Sequence, residues 1–260
     1  LNGNLILVDQ RPEAKRIVLI THSLLQHNER EPIPYVQELL RDFGYSSLAI
    51  NYSLGLNDRL GPFDCLAPHR HTLDGSLLEI GAWVEWLKGR GFEKLILLGH
   101  SYGGNDVARY AINNDDDLIF GVVLLGPGTA DHRAWSPAGY ETRYGKNLEV
   151  ILDRAETMIA AGLGKSILED TDFLYCPKAN VSAASFAPYY RVDSTRLLPN
   201  LIAQALKPTL FIAASEDNLM PDLEQLIMPY IDDELIDIAV VEGAGHFFLD
   251  LFSDDAVDYM

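Results

Sequence analysis

Short apolar runs alternate along this chain with segments whose apolar residues return every three or four positions. Runs of the first kind read as buried strands, and segments of the second kind as amphipathic helices. Ile17-Val18-Leu19-Ile20, inside Arg16 to Thr21, predicts a buried strand. Pro34 to Phe43 carries Val36, Leu39, Leu40 and Phe43 on one side and predicts a helix that Gly44 ends. Ser47 to Asn51 is the next strand. Leu73, Leu77, Ile80, Val84 and Leu87 recur in alternating steps of four and three, so a helix is predicted over Leu73 to Arg90. Strands at Lys94 to Leu98 and Ile119 to Leu125 flank a helix over Tyr102 to Asn113. Pro208 to Ala214 and Leu235 to Val241 are two more strands, with a helix between them around Leu223 to Tyr230. A last helix is predicted from about Phe248 to Tyr259. Such alternation implies an α/β fold, with a mostly parallel sheet covered by helices on both faces.

From Gly128 to Lys207 no clear strand pattern is visible. Leu148 to Ala161 is helical in period, and Trp135, Phe173, Phe186, Tyr189 and Tyr190 make the stretch aromatic. A connection this long is expected to fold on itself. The expected organisation is a core of residues 1–128 and 208–260, with residues 129–207 inserted as a helical cap.

Composition narrows the function classes. Apolar residues make up 48% and charged residues 22%, as in an ordinary globular protein. The net charge of −18 repels phosphate backbones, so nucleic acid is not an expected partner. Acidic bunches at Asp115-Asp116-Asp117, Asp232-Asp233-Glu234 and Asp254-Asp255 fall where turns or helix ends are expected, and read as solvated surface. No apolar run approaches the roughly 20 residues of a membrane-spanning helix. Cys65 and Cys176, the two cysteines, can bridge in an oxidising compartment or stand as thiols in a reducing one. The sequence leaves compartment and oligomeric state open.

Leu95-Ile96-Leu97-Leu98-Gly99-His100-Ser101-Tyr102-Gly103-Gly104 is the most informative segment. It is a strand, then Gly-x-Ser-x-Gly, then a helix. A serine presented on a sharp strand-to-helix turn needs small neighbours two residues before and after it. The helix aims its positive end at the serine, and the Tyr102 N–H can donate to an oxyanion. With this segment the chain resembles the α/β-hydrolase superfamily over nearly its whole length. The resemblance implies a sheet of about eight strands with the serine turn after the fifth. The count fits if Leu5 to Asp9 is an antiparallel N-terminal edge.

A serine needs a base with a pKa near the working pH, which favours histidine. His246, in Gly243-Ala244-Gly245-His246-Phe247-Phe248 after the last strand, resembles the family's histidine loop. Ser215-Glu216-Asp217 ends another strand and supplies the acid that orients the ring. The family's acid commonly lies four residues before a proline, which favours Asp217 ahead of Pro221 and leaves Glu216 in reserve. The order Ser, Asp, His is the family's order. Ile20-Thr21-His22-Ser23-Leu24-Leu25 resembles the family's His-Gly segment, except that Ser23 stands where glycine is usual. By position, Leu24 N–H is the second oxyanion donor, with Ser23 close behind.

His22, His100, Trp135 and Phe247 are expected around the substrate, although His100 within the turn is usually a packing residue in this fold. Asp64, Cys65, His69, His71 and Asp74 cluster in the loop after Asn51. Their spacing matches no standard zinc pattern, so a polar loop near the mouth of the site is expected and no metal. Without a Walker loop or a Gly-x-Gly-x-x-Gly after a strand, no nucleotide cofactor is expected. The expected activity is hydrolysis of a small-molecule ester through an acyl-enzyme. Thioesterase, amidase and acyltransferase chemistry use the same groups, and a non-catalytic binding module on this fold is the alternative of a different class.

Overall fold

Strand side chains point alternately to the two faces of a sheet, and here both faces are apolar. The computed structural model describes residues 1–8, 15–129, 136–191, 193, 196–232 and 234–260. Its strands are β1 (Asn2–Ile6), β2 (Arg16–Thr21), β3 (Ser46–Asn51), β4 (Lys94–His100), β5 (Ile119–Leu125), β6 (Ile167–Phe173), β7 (Cys176–Ser182), β8 (Thr209–Ala214) and β9 (Ile236–Val241). Its helices are α1 (Ile33–Asp42), α2 (Leu73–Gly89), α3 (Tyr102–Asn113), α4 (Pro137–Tyr144), α5 (Leu148–Ala160), α6 (Ala183–Tyr190), α7 (Leu198–Ile202), α8 (Leu223–Ile227) and α9 (Phe252–Asp258).

Seven strands form one sheet in the order β1-β3-β2-β4-β5-β8-β9. All pair in parallel except β1, which runs antiparallel along β3. Ile17, Leu19, Leu48, Ile50, Leu95, Leu97, Val122 and Leu124 turn to one face and pack with Ile80, Val84 and Leu87 of α2 and Val107 and Ala111 of α3. Val18, Ile20, Ala49, Leu98, Val123 and Leu125 turn to the other, where α1 supplies Ile33, Val36 and Leu40 and α9 supplies Ala256 and Val257. Burial on both faces explains why these strands read as unbroken apolar runs.

Seven strands, not about eight, make the sheet among the described residues, and the serine turn follows the fourth. The N-terminal edge is Asn2–Ile6 rather than Leu5 to Asp9, and Asp9 lies outside the described residues. The last helix begins at Phe252, because Phe248 (φ 45) and Asp250 (φ 58) hold left-handed backbone that no helix continues through. Pro229 splits the predicted Leu223 to Tyr230 helix into α8 and a 3-10 turn at Met228–Tyr230. Among the described residues no helix is long and apolar enough to cross a membrane.

The stretch between β5 and β8 holds α4 to α7 and, against expectation, an antiparallel hairpin of β6 and β7. Its alternation is hidden. Asp170 (φ 50) and Lys178 (φ 53) interrupt the strands, and the register shifts twice. The turn is Leu174-Tyr175, with Leu174 at φ 55, rather than an Asn-Gly type. This stretch packs in an apolar cluster around Tyr140, Leu152, Phe173, Val181 and Phe186, which also holds Leu24, Leu25 and Phe63.

A disulfide joins Cys65 to Cys176 across 111 residues and ties the loop after β3 to the hairpin. Closing a loop of that length removes about 5 kcal/mol of unfolded-state entropy in the chain-entropy account. The double variant Cys65→Ser, Cys176→Ser is expected to lose stability on that scale in urea titration. A loss under about 1 kcal/mol would show that the bridge constrains little.

Candidate active site

β4 ends at His100 and α3 begins at Tyr102, so the chain turns on Ser101 alone, at φ 55 and ψ −126. A non-glycine residue persists there only when its surroundings over-determine it. Ser101 N–H donates to Leu125 O at 2.9 Å, and Gly104 N–H donates to Ser101 O at 2.8 Å. A Cβ on Gly99 would stand 2.3 Å from Gly103 O, and one on Gly103 would stand 2.5 Å from His22 O. The two glycines are therefore steric requirements. Thr21 Oγ1 donates to Gly103 O at 3.0 Å and fastens the turn to the end of β2.

The loop after β9 turns at Gly243 (φ 79) and delivers His246. His246 Nε2 lies 3.0 Å from Ser101 Oγ, and its Nδ1 lies 2.7 Å from Asp217 Oδ2. Asp217 is buried where Glu216 is exposed, which decides between the two acids. Its other oxygen accepts from Leu219 N–H at 2.7 Å and Met220 N–H at 2.9 Å. Burial alone would raise this carboxyl's pKa. The hydrogen bond and charge of His246, with the two backbone donors, outweigh burial and hold it below the usual value. An ionised Asp217 accepts from Nδ1–H, which leaves Nε2 of a neutral ring as the acceptor facing Ser101.

His100 is buried beneath this loop, and its Nε2–H donates to His246 O at 2.9 Å. Burial lowers its pKa to about 3, so the ring stays neutral and acts as a strut. Phe247 is half-buried, with its ring 5.2 Å from that of His246 and the Arg30 guanidinium 5.5 Å from its centre. Trp135 lies outside the described residues.

On the other side of Ser101, the Ser23 carbonyl accepts two hydrogen bonds, from His22 Nδ1–H at 2.8 Å and from Gln26 N–H at 3.1 Å. Ser23 C=O and Leu24 N–H belong to one trans peptide plane, so fixing the carbonyl points the N–H the opposite way. Left-handed backbone falls at Leu25 (φ 57) rather than at Ser23, which is why serine fits at this position. The His22 ring is itself fixed, since its Nε2 accepts from Tyr52 N–H at 3.1 Å. Arg59, also buried, lies 3.3 Å from that nitrogen and donates to Tyr52 O and Asn51 Oδ1. Burial lowers the pKa of His22 to about 3 and that of Arg59 to about 10.

Ser23, Leu24 and Tyr102 border a cavity of about 240 Å3 that His22, Tyr52, His71, Asp106 and Tyr189 also line. Asp106 stands one helical turn beyond Tyr102, and burial pushes its pKa up to about 7 against the pull of Arg109. His69 and His71, expected on a polar loop, are instead buried among Phe63, Phe173 and Tyr189. Cys65 of that loop is bound to Cys176, and among the described residues no three His, Cys, Asp or Glu side chains group to hold a metal.

The profile of the alpha/beta hydrolase family matches residues 32–258. A search of curated proteins returns no match. Among solved structures, Est1E from Butyrivibrio proteoclasticus with ferulic acid bound aligns at 20% identity and TM-score 0.67, covering 100% of this chain and 93% of that one. A monoacylglycerol lipase from Paleococcus ferrophilus aligns at 18% identity and TM-score 0.59, covering 100% and 98%. DcsB in complex with its substrate analogue aligns at 14% identity and TM-score 0.69, covering 99% and 91%.

Proposed function

The chain belongs to the alpha/beta hydrolase family, and from that premise we propose that it is a serine hydrolase that cleaves an ester through an acyl-enzyme on Ser101. The continuous contact from Ser101 Oγ through His246 to Asp217, at 3.0 and 2.7 Å, carries this reading. His246 Nε2 takes the hydroxyl proton as Oγ attacks the substrate carbonyl. The oxyanion is held by the N–H groups of Tyr102 and Leu24. His246 then gives its proton to the departing alcohol. A water molecule, deprotonated by the same nitrogen, releases the acid and restores the serine. Residues 129–207 act as a cap over a core of residues 1–128 and 208–260, and Tyr189 of the insert in the cavity wall supports that role.

An ester substrate is favoured by the company this fold keeps. One neighbour is a monoacylglycerol lipase and another binds ferulic acid, a carboxylic acid. A fluorophosphonate probe is expected to label the folded protein stoichiometrically, with the adduct on Ser101 in peptide mapping, and p-nitrophenyl esters are expected to turn over. A well-folded protein that takes no label would favour a non-catalytic module.

A further inference from the structure

We propose that the cavity beside Leu24 and Tyr102 receives the acyl part of the substrate, and that this part carries a hydroxyl group bound by Tyr52, His71 and Asp106. The proposal rests on the serine-hydrolase reading and names the substrate class of the same site.

The first step is which half of the ester enters. The leaving alcohol must lie against His246 Nε2, which protonates it. Neither Ser101, His246, His100 nor Phe247 lines the cavity, whereas Ser23, Leu24, Tyr102 and Gly103, which flank Ser101 on the side away from His246, do. A carbonyl oxygen held between the Tyr102 and Leu24 amides therefore directs the alcohol toward His246 and the acyl chain into the cavity. Its volume of about 240 Å3 exceeds the roughly 150 Å3 that takes a benzene ring. Leu24, Leu54 and Tyr189 give it apolar walls.

The second step is what the cavity asks of that chain. Tyr52 is 4% exposed and His71 is 6% exposed, and both line the space. Both ring nitrogens of His71 are buried without a hydrogen-bond partner, while Tyr52 Oη faces Thr21 and Asp106. A purely apolar acyl group would leave both nitrogens of His71 unpaired, at about 1–3 kcal/mol for each. Asp106 adds an acceptor, and Glu79, which also lines the cavity, already accepts from Ser53 N–H and Oγ–H. A carboxylate on the substrate would meet these two acids unfavourably, and Arg70, the cation in the lining, is exposed and donates to Lys165 O. An ammonium has donors but nothing to accept from Tyr52 or from an imidazole N–H. A hydroxyl both donates and accepts, so it can give its proton to Asp106 and take one from Tyr52 or His71.

Matched methyl esters test this. 3-(4-Hydroxyphenyl)propanoate, its 3-hydroxy isomer and ω-hydroxyalkanoates are each compared with the isostere bearing methyl in place of hydroxyl, and with an ammonium analogue, aminomethyl on the ring or amino on the alkyl chain. At least one hydroxy-acyl ester is expected to exceed both partners in kcat/KM by about 100-fold or more, since a site built to bond a hydroxyl rejects the analogue lacking it. Tyr52→Phe and Asp106→Asn, each checked for an unchanged thermal midpoint, are expected to shrink that ratio at least about tenfold. Ratios below about threefold for every pair, or preference for the amine, would overturn the proposal while fluorophosphonate labelling of Ser101 leaves the hydrolase reading intact. Loss of labelling would overturn both.

Discussion

Ser101→Ala is expected to abolish fluorophosphonate labelling and to lower kcat on p-nitrophenyl esters by about 10⁶-fold, the scale on which a serine hydrolase loses its nucleophile. The fold should survive, because the change removes one oxygen and keeps the backbone ties of residue 101 to Leu125 and Gly104. Asp217→Asn probes the other end of the relay and should cost about 10⁴-fold. The amide can present an N–H to Nδ1, which then accepts, and the proton moves to Nε2, where it faces Ser101 Oγ and blocks proton removal. His246→Ala combined with Ser101→Ala should be no slower than Ser101→Ala alone, since the groups act as one unit. Residual turnover above about 1% in Ser101→Ala, with the protein free of wild-type contamination, would remove Ser101 from the reaction.

How far the sequence could be read depended on whether each element follows a single period. α3 and the strands β2 and β5 coincide with their predicted spans, because both sheet faces are buried and the apolar run coincides with the strand. β6 and β7 follow no period. Their burial is irregular, their register slips and Asp170 and Lys178 take left-handed backbone, so a window that counts alternation finds nothing. The turn to α9 hid itself for a related reason, since Phe248 and Asp250 carry positive φ with no glycine to signal it.

The candidate site divides in the same way. Ser101 and His246 were legible because turns this tight demand glycines at fixed offsets, and Asp217 because it follows a strand and stands four residues ahead of Pro221. The supports of Leu24 were not. His22, Arg59, Asn51 and Tyr52 come from separate segments and meet only when β2, β3 and the following loop are packed. Asp106 offered a faint signal, four residues after Tyr102 and so on the same face of α3. Nothing in the sequence distinguishes the buried His71 from a solvated loop histidine, since that difference lies in Phe173 and Tyr189, about a hundred residues away.

Acid should unfold this protein well above the range where its carboxylates are neutralised. His22, His69, His71 and His100 are each at most 6% exposed, and burial lowers their pKa values to about 3, 4, 3 and 3. All four are neutral in the fold and have the ordinary value of 6.5 when unfolded, so the unfolded chain binds more protons below that pH. Their contribution is therefore complete above 6.5 and drains away as the pH falls toward 4 and 3. Between pH 7 and pH 5 each group costs about 2 kcal/mol, or about 8 for the four. Asp106 works in the opposite direction, since its folded pKa of about 7 lies above the unfolded value and its protonation returns about 2 kcal/mol over the same interval. The net loss of about 6 kcal/mol is comparable with the whole stability of many domains and corresponds to a fall in Tm of roughly 12–25 °C. Calorimetry at pH 7 and pH 5 measures it directly. His69→Leu isolates one term, because both ring nitrogens of His69 lack partners and the ring stacks on Phe63 at 4.3 Å. That variant should be at least as stable as the parent at pH 7, and its loss on acidification should be smaller by about 2 kcal/mol. An unchanged pH dependence in His69→Leu would mean that the imidazole is not held neutral by its surroundings, and the burial account of the other three would fall with it.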